Sequence, residues 1–303
     1  MLSPLRYPGG KSDFFAIAKR VVEGGGFADS HVVEPYAGSA AVSLGLLDFG
    51  LASKVTLSER DPLLYSFWRC VFERTGELIV RFQELDITIE SWHKLQPLLR
   101  VDSPTEGSVL DLALAGLFFN RANFSGILAG GPIGGKGQKS EYKIDCRTNK
   151  DEIISRILAA SMFSDRVNVV FEDAVSLVKG MSAQSEAFFY LDPPYFVKGE
   201  TLYRYFYRLK QHKELASALE DAKFKWLLSY DDNHVIEFLY EGFSVNRLDF
   251  QYSVRSPKKH SELLISNFEL PLTGVDDLVM VRRQRHATDR MSVDVLPSLS
   301  GLT

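Results

Sequence analysis

The chain has 303 residues, of which 45% are hydrophobic and 24% charged, a composition typical of a globular protein. No apolar run is long enough to span a membrane, and the N-terminus lacks the apolar core of a signal peptide. The formal net charge of −4 argues against a protein that coats nucleic acid, although a basic face can lie on an acidic body. Cys70 and Cys146 have no metal-ligand spacing, which favours structural roles in an intracellular protein without a metal site.

Seven runs along the chain have the pattern of β-strands. The first five are short and apolar, as expected for strands that are buried on both faces of a parallel sheet. Helical patterns alternate with most of them, which predicts a doubly wound α/β sheet. The last two runs have no helix between them and predict a hairpin with a long polar loop. The runs are residues 31–35, 54–59, 167–173, 187–192, 225–230, 243–250 and 262–267.

The alternation is interrupted once, between the second and third strands. About a hundred residues with helical patterns lie there, more than an ordinary crossover connection contains. We interpret residues 62–161 as an inserted helical subdomain, with the glycine-rich loop 130–137 at its exposed end. Residues 1–61 and 162–271 then form one discontinuous α/β domain. Residues 272–303 lose periodicity and are expected to form a C-terminal tail.

The first strand runs into a turn of small residues and then a helix, in the segment HVVEPYAGSAAV (31–42). Small residues allow the backbone to approach a ligand closely at the carboxyl end of a strand. A dinucleotide fingerprint needs three glycines, and this turn has only Gly38, so a pyrophosphate cofactor is disfavoured. A carboxylate such as Glu34 suits the cationic end of S-adenosylmethionine (SAM). The structural alternative is a tight strand–helix turn with a buried glutamate.

Acidic residues follow the second and third strands. Glu59 lies ~20 residues or slightly more beyond the first turn, the position of a ribose-binding carboxylate. Asp61, which precedes Pro62, is better explained as a helix N-cap. Asp173 could cap a helix or accept a hydrogen bond from an adenine amino group, and the sequence favours neither role.

The fourth strand ends in Asp192-Pro193-Pro194-Tyr195. An exocyclic amine conjugated to a base is a poor nucleophile. An aspartate oxygen and a backbone carbonyl can accept both of its N–H hydrogens and stabilise the positive charge that grows during methyl transfer. The prolines fix φ and remove N–H donors, which holds the Pro193 carbonyl in one orientation. The Tyr195 ring offers a stacking face for a flipped-out base.

The segment RYPGGKS (6–12) precedes the first strand. Tyr7 could contact a sulfonium through a cation–π interaction, and Lys11 could reach a carboxylate. Gly9 and Gly10 allow close backbone approach. Taken alone, this segment would be interpreted as a turn before a helix. Lysines and arginines are concentrated elsewhere, in residues 130–143 and 252–260.

Together these segments resemble the Dam-like, D12-class N6-adenine DNA methyltransferases of the α group. The resemblance covers about residues 5–270, in the order of that family. It implies a seven-stranded SAM-dependent methyltransferase sheet with the last strand antiparallel, and an insert that recognises the target sequence. The matching segments are RYPGGK, VVEPYAGSAAV, LSERD, NRANFSG, FEDA, YLDPPYF, QHKELA, WLLSYDD and KKHSELLISN.

The resemblance also implies roles for single residues, with SAM as the cofactor and a flipped adenine in duplex DNA as the substrate. The catalytic residues would be Asp192, Pro193, Pro194 and Tyr195. The cofactor would be bound by Tyr7, Gly9, Gly10, Lys11, Glu34, Pro35, Tyr36, Ala37, Gly38, Ser39, Glu59, Asp173 and Asp192. DNA contacts would come from Arg121, Asn123, Lys136, Lys139, Lys258 and Lys259, the last two in the loop before the last strand. Capping of a helix end is the alternative for Arg121 and Asn123, and a solvated loop for Lys258 and Lys259.

The resemblance implies a bacterial or phage-encoded protein of the cytoplasm that acts on the nucleoid, without an obligate protein partner. Restriction–modification, a phage function and solitary action are left open. The arginine-bearing segment that reads GATC in the family is not recognisable in loop 130–137. Neither cysteine follows a proline, which disfavours cytosine-C5 transfer, and Asp192 favours adenine over N4-cytosine. An RNA or small-molecule amine methyltransferase and a non-catalytic SAM- or DNA-binding module are the competing hypotheses.

Overall fold

The computed structural model describes residues 2–6, 11–183, 186–252, 258–271 and 279–281. The side chains of residues 11–13, 249–252, 258–260 and 279–281 lie outside this description. No helix within the described part of the chain is long and apolar enough to cross a membrane.

A mixed sheet forms the centre of the protein, with the strand order β3-β2-β1-β4-β5-β7-β6-β8. Strands β1 to β5 pair in parallel, and β7 lies antiparallel between β5 and β6. The predicted fold class, an α/β sheet with the last of seven strands antiparallel, is confirmed. The strands are β1 (Ser30–Glu34), β2 (Ala52–Ser58), β3 (Val167–Val170), β4 (Ala187–Leu191), β5 (Lys225–Asp231), β6 (Ser244–Tyr252), β7 (Lys258–Ser266) and β8 (Val279–Val281).

The strand β8 is an addition to the predicted sheet. Its three residues pair antiparallel with Arg247–Asp249 of β6, in a stretch that we expected to be a tail. A run of three residues is too short to show a strand period in the sequence. Its pairing partner is what identifies it as a strand.

Helices pack on both faces of the sheet. Val32 and Phe188 belong to one hydrophobic cluster, whereas their chain neighbours Val33 and Phe189 belong to a second. Successive strand residues point to opposite faces, so the two clusters lie on opposite sides. The helices are α1 (Lys11–Gly24), α2 (Ala41–Asp48), α3 (Pro62–Glu73), α4 (Thr75–Glu84), α5 (Ile89–Leu95), α6 (Val109–Ala122), α7 (Lys150–Ser161), α8 (Ala174–Gly180), α9 (Gly199–Leu202), α10 (Leu209–Glu220) and α11 (His234–Leu239).

The segment between β2 and β3 is helical and contributes to two cores. Phe67 of α3 and Ile157 of α7 join the cluster that covers the sheet. Trp92 of α5 and Phe118 of α6 belong to a separate cluster on the far side of α3 and α6. The segment 62–161 therefore shares part of its core with the sheet, and its function in target recognition stays a prediction.

Candidate active site

The carboxyl ends of four parallel strands meet at one edge of the sheet, beside a cavity. Residues that follow β1, β2, β3 and β4 line it, together with the turn 126–128, residues 202–205 and Tyr207. The structure therefore brings together site residues that the sequence placed on four separate segments. Those that line the cavity are Pro35, Tyr36, Glu59, Asp173, Asp192 and Pro194.

The turn after β1 is held by hydrogen bonds to neighbouring elements. Gly38 has a φ of 45°, a conformation that glycine adopts without steric cost. Its N–H donates to Glu59 Oε2 at 3.0 Å, and its carbonyl accepts from Trp68 Nε1 at 2.8 Å. Glu34 is buried, and its Oε2 accepts from the N–H of Ser43 in α2 at 3.1 Å. The structural alternative for Glu34 is thus realised, and its contact with a cofactor stays a prediction.

A second, smaller cavity adjoins the first at this turn. It is lined by Glu34, Tyr36, Ala37, Ser39 and Asp192, together with residues of α2 and Tyr190. The turn after β1 and the end of β4 therefore share this cavity, through Glu34, Tyr36 and Asp192. A ligand in it could contact both the turn and Asp192.

Glu59 lines the first cavity, and its surroundings change its ionisation. Its Oε1 accepts from the N–H of Asp61 at 2.9 Å, in addition to the bond from Gly38. Burial, followed by the nearby Asp61 carboxylate, raises the pKa of Glu59 to about 7, although the backbone N–H groups act in the opposite direction. A carboxyl group with this pKa changes charge near neutral pH.

Asp173 realises one of the two roles that the sequence left open, the helix cap. Its Oδ1 accepts from the N–H of Val175 at 3.0 Å and so caps α8. Its Oδ2 lies 3.3 Å from Arg60 Nη1 and 3.5 Å from the Tyr207 hydroxyl, at the cavity wall. The helix cap is therefore present, and the contact of Asp173 with an adenine stays a prediction.

The Asp192-Pro193-Pro194-Tyr195 motif is buried and follows β4 directly. Asp192 Oδ1 accepts from Ser229 Oγ at 2.9 Å, and Asp192 lines both cavities. The Tyr195 hydroxyl donates to Glu262 Oε1 at 3.1 Å, and burial raises the pKa of this phenol well above its ordinary value. Because Tyr195 is only 7% exposed, stacking of its ring on a base stays a prediction that requires the base to enter the protein.

Sequence reasoning missed the segment that follows this motif. Arg204 forms an ion pair with Asp61 at 2.6 Å, and the two side chains are only 9% and 8% exposed. The guanidinium also donates to the carbonyl of Leu99. The sequence YRYFYR (203–208) combines aromatic and basic residues without a helix or strand period. This composition was the feature that could have marked the segment as part of the site. The ion pair holds the residues 202–207 against α3 and the insert.

Asn120 is a second missed residue, and it links the insert to the N-terminal segment. Its Oδ1 accepts from the N–H of Arg6 at 2.7 Å, and its Nδ2 donates to the carbonyls of Arg6 at 2.7 Å and Gly126 at 3.3 Å. Tyr7, Gly9 and Gly10 lie outside the described residues, as does the side chain of Lys11. Their predicted contacts with the cofactor stay predictions.

The predicted DNA contacts have different outcomes. Asn123 is fully buried, accepts from Trp92 Nε1 at 2.8 Å and donates to the carbonyls of Ile127 and Leu128. Its amide is engaged in shaping the turn that follows α6, as the helix-end alternative expects, and its contact with DNA stays a prediction. The guanidinium of Arg121 donates to the carbonyl of Pro4, and burial lowers its pKa to about 10. A contact of Arg121 with DNA stays a prediction.

The four predicted lysines lie in two places. Lys136 lies in the glycine-rich loop 130–137 and Lys139 directly after it, and both are exposed. Gln138 organises this loop by donating to the carbonyls of Ile133 and Gly135. Lys258 and Lys259 are the first residues of β7, paired with Tyr252 and Gln251 of β6, and not part of a loop as expected. The hairpin strands are longer than the sequence indicated, because pairing between strands continues through polar residues that have no apolar alternation.

The cavity suits a cationic cofactor. Two arginines line it, but each faces an acid, Arg60 at Asp173 and Arg204 at Asp61. The carboxylate of Asp192 also lines the cavity, and Glu59 adds negative charge when the pH is above its pKa of about 7. A sulfonium is stabilised by such an excess of negative charge, whereas a pyrophosphate would be repelled.

Comparison with known proteins is consistent with this site. The family model of the D12 class N6 adenine-specific DNA methyltransferases matches residues 7–254. No protein with a curated description matches at a significant level. Among solved structures, the rRNA methyltransferase aviRa from Streptomyces viridochromogenes aligns with a TM-score of 0.40 and 12% identity, over 86% of each chain. An rRNA methylase from Streptococcus thermophilus aligns with a TM-score of 0.32 and 10% identity, over 84% of this chain and 93% of the other.

The family match spans most of the chain and includes the strand-end turn, the acidic residues and the Asp192-Pro193-Pro194-Tyr195 motif. Together with the sheet order and the acid-lined cavity, it defines a SAM-dependent methyltransferase. The chain belongs to the D12 class N6 adenine-specific DNA methyltransferase family.

Proposed function

We propose that this enzyme transfers a methyl group from SAM to the N6 amine of an adenine that is flipped out of duplex DNA. The observation that carries the proposal is the position of Asp192. Its carboxylate lines the same cavity as Glu59 and Asp173, the residues that would hold the ribose and the adenine of the cofactor. The family match supports DNA as the substrate.

Each cofactor contact has a distinct chemical reason. When bound, SAM supplies a methyl group activated by the positive sulfonium. Glu59 would accept hydrogen bonds from the ribose hydroxyls, and Asp173 would accept one from the adenine amino group. Gly38 and the turn around it would let the backbone approach the cofactor closely.

The catalytic groups act on the amine of the substrate. Asp192 and the Pro193 carbonyl would accept both N–H hydrogens of adenine N6, which aims the nitrogen lone pair at the methyl group. They would also stabilise the positive charge at N6 as the bond to carbon forms and the bond from carbon to sulfur breaks, with the thioether of the cofactor as the leaving group. The methylated N6 would then lose one proton to water or to Asp192, which gives neutral N6-methyladenine. Correct positioning contributes the rest of the rate enhancement, and no covalent enzyme intermediate is needed.

A methyl-transfer assay tests this proposal. The enzyme is incubated with SAM carrying a tritiated methyl group and, separately, with adenine-containing duplex DNA, a duplex of only guanine and cytosine, and ribosomal RNA. We expect label in N6-methyladenine from the first substrate alone, after digestion to nucleosides. Label only in RNA would favour the RNA methyltransferase hypothesis and contradict ours. Binding of SAM without transfer to any substrate would indicate a non-catalytic module.

A further inference from the structure

The catalytic motif has few backbone donors with which to hold its own position. Pro193 and Pro194 have no N–H, so the first amides available after Asp192 belong to Tyr195, Phe196 and Val197. Two of these three are bound by one carboxylate. The N–H of Phe196 donates to Asp231 Oδ1 at 2.8 Å, and the N–H of Val197 donates to Asp231 Oδ2 at 3.2 Å.

The other end of the motif is held from the same strand. Ser229 Oγ donates to Asp192 Oδ1 at 2.9 Å. Ser229 and Asp231 are two residues apart on β5, so they point to the same face of the sheet. Strand β5 is the parallel neighbour of β4, from which the motif emerges. One strand thus contacts the motif at its first residue and again just beyond its last.

A third contact comes from the antiparallel strand β7. Glu262 pairs directly with Asp231 in the register of β5 and β7. Residues directly opposite each other on antiparallel strands project from the same face. Glu262 is buried and accepts the hydroxyl of Tyr195 at 3.1 Å, so the two carboxylates bind consecutive parts of one segment.

We propose that Ser229, Asp231 and Glu262 are positioning residues that hold Asp192, the Pro193 carbonyl and Tyr195 in the geometry for methyl transfer. This inference rests on the proposed function. Asp231 contributes most to this positioning, because it accepts two charge-assisted hydrogen bonds from the backbone just after Tyr195. Loss of these bonds frees the segment that carries the Pro193 carbonyl, and a displacement of about 1 Å at a reacting group can cost about 10²-fold in rate.

Hydrogen–deuterium exchange tests the contacts without reference to catalysis. In Asp231→Ala, we expect the amides of Phe196 and Val197 to exchange at least about tenfold faster than in the parent, because their acceptor is lost. Asp232→Ala is the matched control, since this neighbouring carboxylate pairs with Arg247 on the surface. Equal exchange of residues 195–198 in the two variants would overturn the proposal.

Steady-state kinetics test the consequence for the reaction. We expect kcat with DNA to fall by about 10²-fold in Asp231→Ala, with the KM for SAM unchanged, because Asp231 does not line the cofactor cavity. Asp231→Asn retains one acceptor and should recover part of kcat. Ser229→Ala and Tyr195→Phe should have smaller effects, because both variants keep the two backbone bonds to Asp231. A kcat for Asp231→Ala equal to that of Asp232→Ala would contradict the positioning role.

The two hypotheses fail in different ways. If the parent enzyme does not methylate adenine in DNA, the proposed function is wrong, and the exchange measurement still decides whether Asp231 holds the motif. If the parent methylates adenine while the Asp231 variants exchange and react like the parent, only the positioning inference is wrong. If Asp231→Ala does not fold, as judged by circular dichroism, Asp231→Asn supplies both measurements.

Discussion

Glu59 shows how one side chain can serve both the fold and the ligand. Its two oxygens accept backbone N–H groups from Gly38 and Asp61, which ties the turn after β1 to the end of β2. The same carboxyl faces the cavity. Burial and Asp61 disfavour its charged form, so the protein holds it near the point of ionisation.

This pKa predicts a pH dependence of SAM binding. Ribose hydroxyls donate to the charged carboxylate, so affinity should rise as the pH increases through about 7 and level off above it. Below that value it should fall by up to about tenfold per pH unit. In Glu59→Gln the affinity should be lower and this dependence absent. Calorimetric titration of SAM into both proteins at several pH values measures this pH dependence. The same change of affinity with pH in both proteins would exclude Glu59 as the group responsible.

The folded state of the protein should also respond to this group. Because the pKa of Glu59 is raised in the folded state, the folded protein binds its proton more tightly between about pH 4.5 and about 7. The contribution of Glu59 to stability is therefore largest at low pH and declines as the pH rises through this window.

Asp192 is the side chain on which the proposed chemistry depends most directly. Asp192→Ala removes an acceptor for the N6 hydrogens and should lower kcat about 10²–10³-fold, with a smaller change in SAM affinity. Asp165→Ala, a change at an exposed aspartate, is the control and should leave both unchanged. Measurement of kcat and of SAM binding in the parent and the two variants tests the catalytic assignment of Asp192. An Asp192→Ala enzyme as fast as the parent would exclude the assignment.

Among the elements, the segment from Leu202 to Tyr207 has little regular structure, yet it contains one member of a buried ion pair. Arg204 binds Asp61, which is also the N-cap of α3 through the N–H of Leu63. Burial raises the pKa of Asp61, whereas Arg204 acts in the opposite direction. The ion pair thus connects a loop beyond the catalytic motif to the first helix of the insert.

Removal of Arg204 should destabilise the fold. In Arg204→Ala, Asp61 is left as a buried charge without its partner, which typically costs about 3–5 kcal/mol of unfolding free energy. Arg81→Ala is the control, because Arg81 and Asp111 are both exposed and such pairs contribute about 0.2–1 kcal/mol. Urea unfolding of the three proteins gives the comparison. Similar losses of unfolding free energy in the two variants would mean that the buried ion pair stabilises the fold no more than the exposed one.

For the molecule as a whole, the distribution of charge matters more than its sum. The net charge is −4, yet duplex DNA, the proposed substrate, is a polyanion. Lys136 and Lys139 are exposed on the loop that follows α6, on the same part of the chain as the turn 126–128 at the cavity wall. A basic surface at this place would attract DNA toward the cavity.

The salt dependence of DNA binding tests this placement. If each lysine neutralises one phosphate, the double variant Lys136→Gln and Lys139→Gln should reduce the slope of log K against log salt by about 2. SAM affinity should not change. Lys19→Gln, at a lysine paired with Glu23 on α1, is the control. Fluorescence anisotropy with labelled duplex DNA gives the slopes, and identical slopes for all proteins would remove these lysines from the interface.

Local patterns were sufficient to predict the sheet and the main site segments. The apolar runs of β1, β4 and β5 and the turns and acids that end the first four strands are properties of adjacent residues, so they are visible in the chain. Parallel strands end at a common edge, which is why Glu59, Asp173 and Asp192 could be expected to meet. The burial of Asn123 and the position of Lys258 in a strand were not predicted, because burial of an amide and continuation of a hairpin depend on partners distant in sequence.

The sequence by itself indicates the type of chemistry, because Asp192, Pro193 and Pro194 are contiguous. The two prolines restrict the backbone of this motif whatever the rest of the fold is. The tertiary structure decides what holds that motif and what closes the cavity. Asp231 and Glu262 reach the motif only through the pairing of β5 with β4 and β7, and Arg204 reaches Asp61 across 143 positions. Contacts of this kind have no local pattern, because they arise from the packing of separate elements.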